Sequence, residues 1–196
     1  MAPATALADV LGETMIANLV RNLFAGLRLI AFMPVQSSSF VIRTDQLISL
    51  IFLAIALRLG GALIPNWPIT GIWPFGVGVA LLRITLLLAL LQVVGLIFGQ
   101  WRSAIVLQVM VLSGAILADI AWSVVANVAD WRALPLYMPF LLSTAFLSLW
   151  GVATLRAVRM TFGASWIKAA CSGTALLASI LLVAMQFEGT PIYKTS

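Results

Sequence analysis

The chain of 196 residues contains five long apolar runs, and this pattern constrains its fold more than any other feature. Apolar residues make up 63% of the sequence and charged residues only 9%. A helix needs about 20 predominantly apolar residues to cross the hydrocarbon core of a membrane. Strands of a transmembrane barrel are shorter and alternate apolar with polar residues, which these runs do not do. The sequence therefore predicts an all-α, polytopic membrane bundle of five transmembrane helices, in a single domain covering residues 1–196.

Proline and capping residues set the bounds of the predicted spans. Thr44 is placed to cap the first span, and Pro65 follows its end. Pro74 opens the second span, because a first-turn proline lacks only an N–H that has no helical partner there. Pro139 should kink or delay the first turn of the fourth span, which begins near Pro135. The predicted spans cover residues 45–64, 74–98, 104–126, 135–155 and 165–187.

Residues 11–33 have a different pattern from the five spans. Apolar residues recur there at helical spacing: Met15, Ile16, Leu19, Val20, Leu23, Phe24, Leu27 and Ile30. Polar residues fall on the opposite side: Asn18, Arg21, Asn22 and Arg28. This arrangement is typical of an amphipathic helix that lies in the plane of an anionic membrane surface. We therefore predict an interfacial helix over 11–33; the alternative is a helix packed on the bundle or on a partner protein.

Basic residues are concentrated on one side of the predicted topology. One side holds Arg21, Arg28, Arg43, Arg102, Arg156, Arg159 and Lys168, whereas the other holds Arg132 and Lys194. Positive charge collects on the cytoplasmic side during insertion, so we predict a bacterial inner-membrane protein with a cytoplasmic N-terminus and a periplasmic C-terminus. The net charge of +5 then reflects topology and anionic lipid, with no nucleic-acid partner. Arg21, Arg28 and Arg43 are the predicted interfacial lipid contacts.

Three ionisable residues lie inside the apolar runs: Arg58, Arg83 and Asp119. At about 1.5 Å per residue they fall within one or two helical turns of the same depth, in the outer half of the bilayer. A lone charge at that depth is costly, so we expect Asp119 to pair with one or both arginines. The favoured interpretation is an ion pair that fixes helix register. Two others stay open: a polar site or ion path, and arginines that face a partner subunit or an anionic lipid.

Small residues mark two candidate packing surfaces. Gly95 and Gly99 form a GxxxG pair at the inner end of the second span. Ala170, Thr174 and Ala178 form a ridge on the fifth span. Small side chains allow helix backbones to approach closely in a membrane. We predict close packing at both places, within the bundle or with another membrane protein.

Several chemistries are excluded by the residues that the sequence lacks. The chain contains no histidine, so it has no HExxH zinc site, Ser–His dyad or histidine-ligated haem. The single intramembrane Asp119 makes no aspartyl dyad. The sequence also contains no GxSxG motif, P-loop or dinucleotide-binding fingerprint. We predict no enzymatic activity, no catalytic residue, no metal site and no cofactor.

Two short segments resemble a known group of membrane domains. They are residues 22–29, with the sequence NLFAGLRL, and residues 40–46, with the sequence FVIRTDQ at the mouth of the first span. Together with the five-span count, they are similar to the start of bacterial Yip-type membrane domains. They also resemble the membrane portion that precedes some bacterial legumain-like peptidase domains. Such peptidases act through a His–Cys pair, which is absent here, so the resemblance implies a scaffold or trafficking role and no catalytic residue.

The sequence as a whole favours a non-enzymatic membrane protein. We predict an accessory, scaffold or assembly subunit of a larger inner-membrane complex, for example a respiratory or photosynthetic one. Its expected partners are other integral membrane proteins and anionic lipids. The alternative functions are a small transporter or channel that uses Arg58, Arg83 and Asp119, and a lipid-binding protein whose arginines hold head groups.

Overall fold

The computed structural model describes residues 4–63, 69–72, 74–128, 138–186 and 193–195. Within these ranges the chain forms helices α1 (Ala4–Ile30), α2 (Thr44–Leu63), α3 (Pro74–Ile97), α4 (Ala104–Val128), α5 (Met138–Phe162) and α6 (Trp166–Gln186). Short 3-10 turns at Ser37–Ser39 and Trp101–Ser103 precede α2 and α4. Two short strands, β1 (Ile69–Ile72) and β2 (Tyr193–Thr195), pair in antiparallel fashion. The pairing joins the α2–α3 connection to the segment that follows α6.

Each of the five predicted spans coincides with a helix, from α2 to α6. In the described part of the chain, three helices and not five are long and apolar enough to cross a membrane. These three are α2, α3 and α4, with mean hydropathies of 1.4, 2.4 and 2.1 over their apolar windows. Pro74 opens α3 as predicted, and Pro139 falls in the first turn of α5, where proline is tolerated. Pro65, Arg132 and Pro135 lie outside the described residues.

Helix α4 is the central element of the bundle. It contacts α1, α2, α3 and α5, and 61% of its apolar window is buried, against 17% for that of α2. Its buried residues point in all directions around the helix: Leu107, Val109, Met110, Val111, Leu112, Ser113 and Ile116. A helix that is apolar on every side is suited to such a position. The neighbouring helices each add one buried face to this core.

Helix α1 packs on α4 and α5, and its packed face includes residues from its polar side. Asn22, assigned to the polar side, is fully buried, whereas Ile16 and Phe24 are 63% and 65% exposed. A Cβ at Gly26 would lie only 2.8 Å from the carbonyl carbon of Ser113, so the glycine lets α1 approach α4 closely. Small and polar residues therefore share the packed face with Leu29, because lipid solvates large apolar side chains as well as a protein core does. Packing on the bundle is the alternative given for residues 11–33, and the position of this helix relative to a membrane surface stays a prediction.

The two glycines of the predicted GxxxG pair have different roles. A Cβ at Gly95 would lie 2.7 Å from the Cβ of Ala104, so Gly95 does provide a close contact between α3 and α4. Gly99 has a φ of +66° and open space around its Cβ position. The Gln100 amide donates to the Gly95 carbonyl, and the Gly99 amide donates to the Leu96 carbonyl. Gly99 therefore ends α3 as a left-handed cap and makes no close contact within the described bundle, while packing with another protein stays a prediction.

The ridge of α6 that packs within the chain is also a different one. Ala169 and Gly173 are buried, and a Cβ at Gly173 would overlap the side chain of Leu155 on α5. Thr174 and Ala178 are exposed, and Ala170 is half-buried. Residues 170, 174 and 178 thus lie beside the internal contact rather than in it. We call them the outer ridge of α6.

Candidate functional site

Helices α2, α3, α4 and α5 surround a cavity of about 230 Å³. Most of its lining is apolar and comprises Ala54, Ile84, Leu86, Leu87, Leu112, Ala115, Ile116, Ala118, Phe146, Leu147 and Trp150. The remaining lining residues are Arg58, Arg83 and Asp119. The structure therefore brings the three intramembrane charges together, as the helix-depth argument predicts.

The three charges converge because α2 and α4 run in the same direction and α3 runs in the opposite one. Arg58 is five residues before the end of α2 at Leu63, which corresponds to about 8 Å. Arg83 and Asp119 are each nine residues, or about 14 Å, from the α3 and α4 ends on the same side. The cavity therefore lies toward the side of the bundle that carries the paired strands. The depth of the cavity in the bundle thus follows from the residue counts and the helical rise.

Asp119 pairs with Arg58. The Nη2 atom of Arg58 lies 3.4 Å from Oδ2 of Asp119, and the two side chains are 36% and 43% exposed. Arg83 lines the same cavity from α3, within electrostatic reach of the Asp119 carboxylate. Two guanidinium groups and one carboxylate give the lining a formal charge of +1. Because the pair is only partly buried, the cavity reaches the outer surface of the bundle.

The α5 wall of the cavity is the part that sequence reasoning missed. Phe146, Leu147 and Trp150 close the side opposite α2 and α3. The Phe146 ring is 5.5 Å from the ring of Trp122 on α4, which fixes α5 against α4 at this level. Tryptophan normally concentrates at the membrane–water interface. The mid-helix position of Trp150 was therefore the signal that could have pointed to this wall.

Two polar side chains of α4 near the cavity donate hydrogen bonds to backbone carbonyls. Gln108 on α4 donates from Nε2 to the Leu88 carbonyl on α3 at 3.0 Å, an interhelical hydrogen bond of the expected kind. The Ser113 hydroxyl donates to the Val109 carbonyl at 2.7 Å. In the described residues, no group of three or more acidic, cysteine or histidine side chains is arranged to hold a metal ion. The distinctive chemistry of the cavity is thus its pair of guanidinium groups.

The predicted interfacial cations lie around α1 and the start of α2. Arg21 donates from Nε and Nη2 to the carbonyls of Ser39 and Ser38, both at 3.1 Å. Arg43 pairs with Asp45 at 3.1 Å, and Arg28 is exposed. Two of these three cations therefore also have contacts within the chain. All three are accessible at the surface of the bundle, on the side where α2 begins.

Arg156 on α5 binds the C-terminal end of α1, a role that the sequence does not reveal. It donates from Nη1 to the Leu29 carbonyl and from Nη2 to the Met33 carbonyl, each at 3.0 Å. Its guanidinium also lies 5.5 Å from the ring of Phe32, whose φ is +58°. This α5 side chain therefore holds the end of α1 in place. In the predicted topology it counted only as a cytoplasmic cation.

Comparison with known proteins adds no relative: no family model, curated protein or solved structure matches this chain.

Proposed function

We propose that all five predicted spans, α2 to α6, cross the membrane. Helix α5 lies antiparallel beside α4, with Thr161 contacting Met110 at 3.6 Å and Phe146 contacting Trp122. Those contacts are separated by about 18 Å along α4 and about 22 Å along α5, so α5 extends over most of the depth of α4. Helix α6 then returns the chain to the side of β1, because β2 pairs with it. An even number of crossings between the two strands supports both α5 and α6 as spans.

We further propose a bacterial inner-membrane location with the N-terminus in the cytoplasm and the C-terminus in the periplasm. Arg21, Arg28, Arg43 and Arg156 all lie at the end of the bundle where α2 begins and α5 ends. Such an excess of cations is typical of the cytoplasmic side. The paired strands and the cavity would then be on the periplasmic half. Labelling of single cysteines at Ser38 and Thr195 in intact cells tests this orientation, since only Thr195→Cys should react with an impermeant maleimide.

For its role, we propose a non-enzymatic accessory, scaffold or assembly subunit of a larger membrane complex. The observation that carries this proposal is the outer ridge of α6. Thr174 and Ala178 are exposed, although the neighbouring Ala169 is buried and Gly173 packs against Leu155 of α5. Small side chains gain little packing energy from contact with lipid, and they allow another helix to approach closely. The resemblance to Yip-type membrane domains, which implies a scaffold or trafficking role, agrees with this proposal.

The test is purification of the tagged protein from its native membrane in mild detergent, followed by mass spectrometry of bound proteins. We expect other integral membrane proteins in fixed stoichiometry. The variant Ala178→Leu should reduce their recovery, because a larger side chain blocks close approach on the outer ridge. Ala89→Leu, an equal change on an exposed site of α3, is the matched control and should leave recovery unchanged. Wild-type protein that carries only lipid would contradict the proposal.

The cavity favours a second candidate function, a small transporter or channel for anions. A partly exposed, positively charged cavity among four helices would allow an anion to bind as it crosses the membrane. Under this function, Asp119→Asn should leave the bundle folded and change anion flux into liposomes. Under the scaffold function, the same variant should be less stable or should assemble less well with its partner proteins. Neither the wild-type protein nor the variant should then transport anions. The two functions therefore predict different results for one variant.

A further inference from the structure

We infer that the cavity between α2, α3, α4 and α5 binds an acidic phospholipid, with its phosphodiester group at Arg58 and Arg83 and part of an acyl chain along the apolar wall. This inference goes beyond the accessory role, since it concerns a different surface from the outer ridge of α6. It would hold for a scaffold or a transporter alike.

Charge is the first argument for this ligand. The lining has two guanidinium groups and one carboxylate, so its formal charge is +1. A net charge within a span is unfavourable, and an anion in the cavity would neutralise it. A phosphodiester without an amine carries one negative charge, which balances the lining. The flat, multiply donating guanidinium matches phosphate oxygens better than an ammonium group does.

The shape and polarity of the cavity are the second argument. Its volume of about 230 Å³ is below the about 300–1,000 Å³ of pockets that enclose a whole small molecule. It therefore suits a head group and the first part of a chain, with the remainder outside. The exposure of Arg58 and Asp119, at 36% and 43%, shows that the cavity reaches the surface of the bundle. Leu86, Leu87 and Leu147 supply an apolar wall suited to methylene groups.

The first experiment compares lipids on the purified full chain. Thermal unfolding is measured in phosphatidylcholine nanodiscs with and without phosphatidylglycerol, and lipid binding is counted by native mass spectrometry. We expect phosphatidylglycerol to raise the unfolding temperature and to stay bound at one molecule per chain. The same unfolding temperature in nanodiscs with and without phosphatidylglycerol would overturn the inference. So would equal stabilisation by inorganic phosphate added to detergent-solubilised protein, which would make the cavity a site for the free anion.

Two pairs of variants separate the cavity from the cationic surface. Arg83→Gln should weaken phosphatidylglycerol binding about tenfold, because it removes a charge-assisted donor. Arg102→Gln is the matched control, since Arg102 is exposed, stacks on Trp101 at 5.3 Å and carries the same charge. Ala115→Leu keeps every charge and narrows the cavity, so it should also weaken binding; Ala89→Leu should not. Should Arg83→Gln fail to fold, the Ala115→Leu result decides, and unchanged binding there would overturn the inference.

Discussion

The Nη2 atom of Arg58 on α2 lies 3.4 Å from Oδ2 of Asp119 on α4, and this ion pair links two helices inside the bundle. A second pair, Arg43 with Asp45, joins residues two apart in sequence, at 3.1 Å. Its arginine side chain is 66% exposed, against 36% for Arg58. The two aspartates are equally exposed, at 43%, so the pairs differ in the exposure of the arginine and in the apolar cavity that surrounds only Asp119. This contrast provides an internal control for the energetics of the cavity.

The ion pair should stabilise the bundle mainly by avoiding an uncompensated charge. We expect Asp119→Asn to lower the free energy of unfolding by about 1–2 kcal/mol, less than for a fully buried pair because both side chains are partly exposed. Asp45→Asn should cost less than about 1 kcal/mol. The double variant Arg58→Met with Asp119→Leu should recover most of the loss, since an apolar pair needs no partner charge. Unfolding in mixed detergent micelles measures all three, and equal losses for the two Asp→Asn variants would contradict the prediction.

Close packing of α1 on α4 should depend on Gly26. A Cβ at this position would lie 2.8–2.9 Å from three atoms of Ser113, two of them in the backbone. We expect Gly26→Ala to destabilise the protein by about 1–3 kcal/mol, which exceeds any gain in helix propensity. Gly78→Ala in α3 meets no atom within 4 Å and should be neutral or stabilise by up to about 1 kcal/mol. Thermal unfolding measures both effects. An unfolding midpoint that moves in the same direction for both variants would contradict this close contact.

Asn22 should act as a backbone partner for the segment that leads into α2. Its Nδ2 donates to the Val41 carbonyl at 3.1 Å, and its Oδ1 accepts from the Val41 amide at 2.7 Å. Asn22→Asp preserves the acceptor but places an oxygen against the Val41 carbonyl. We expect this nearly isosteric change to cost about 2–4 kcal/mol, because it adds repulsion and a buried charge. Asn18→Asp, one turn earlier and less buried, is the control, and thermal unfolding in detergent distinguishes the two.

Arg156 should hold the C-terminal end of α1 on the bundle through the two hydrogen bonds that its guanidinium donates. Lysine retains the charge but cannot reach the Leu29 and Met33 carbonyls with a planar fork. We expect Arg156→Lys to speed amide exchange in residues 29–36 about tenfold, with little effect elsewhere. Arg102→Lys, which alters only a contact with Trp101, should leave that segment unchanged. Hydrogen exchange followed by mass spectrometry gives the local readout, and a uniform change across the chain would refute a local role.

Much of the fold was predictable because span length and helix depth are linear properties of the sequence. The starts of α2, α3 and α4 fall within a residue of the predicted spans. The meeting of Arg58 and Asp119 followed from counting residues inward from the helix ends on one side of the bundle. Which arginine pairs with the aspartate was not predictable, because it depends on which helices are neighbours. Whether α1 packs on the bundle was left open for a related reason.

In water, hydrophobicity identifies the inside of a helix, but in lipid it does not. The buried face of α1 includes Asn22, Ala25 and Gly26, whereas Phe24 is 65% exposed. Shape and hydrogen bonding therefore select the face that packs. The outer ridge of α6 illustrates the same difficulty, because small residues occur on both sides of that helix. Only the packed neighbour, Leu155 on α5, shows that Gly173 belongs to the internal side.

The central position of α4 has a consequence for biosynthesis. Chains are made from the N-terminus, yet the most extensive neighbour of both α1 and α2 is α4. Those two helices can therefore form their largest contacts only after residue 128 has been synthesised. Until then the close-packing surface around Gly26 and the cation Arg58 lack their native neighbours. The first two helices thus have their main packing partner in a helix that is synthesised after them.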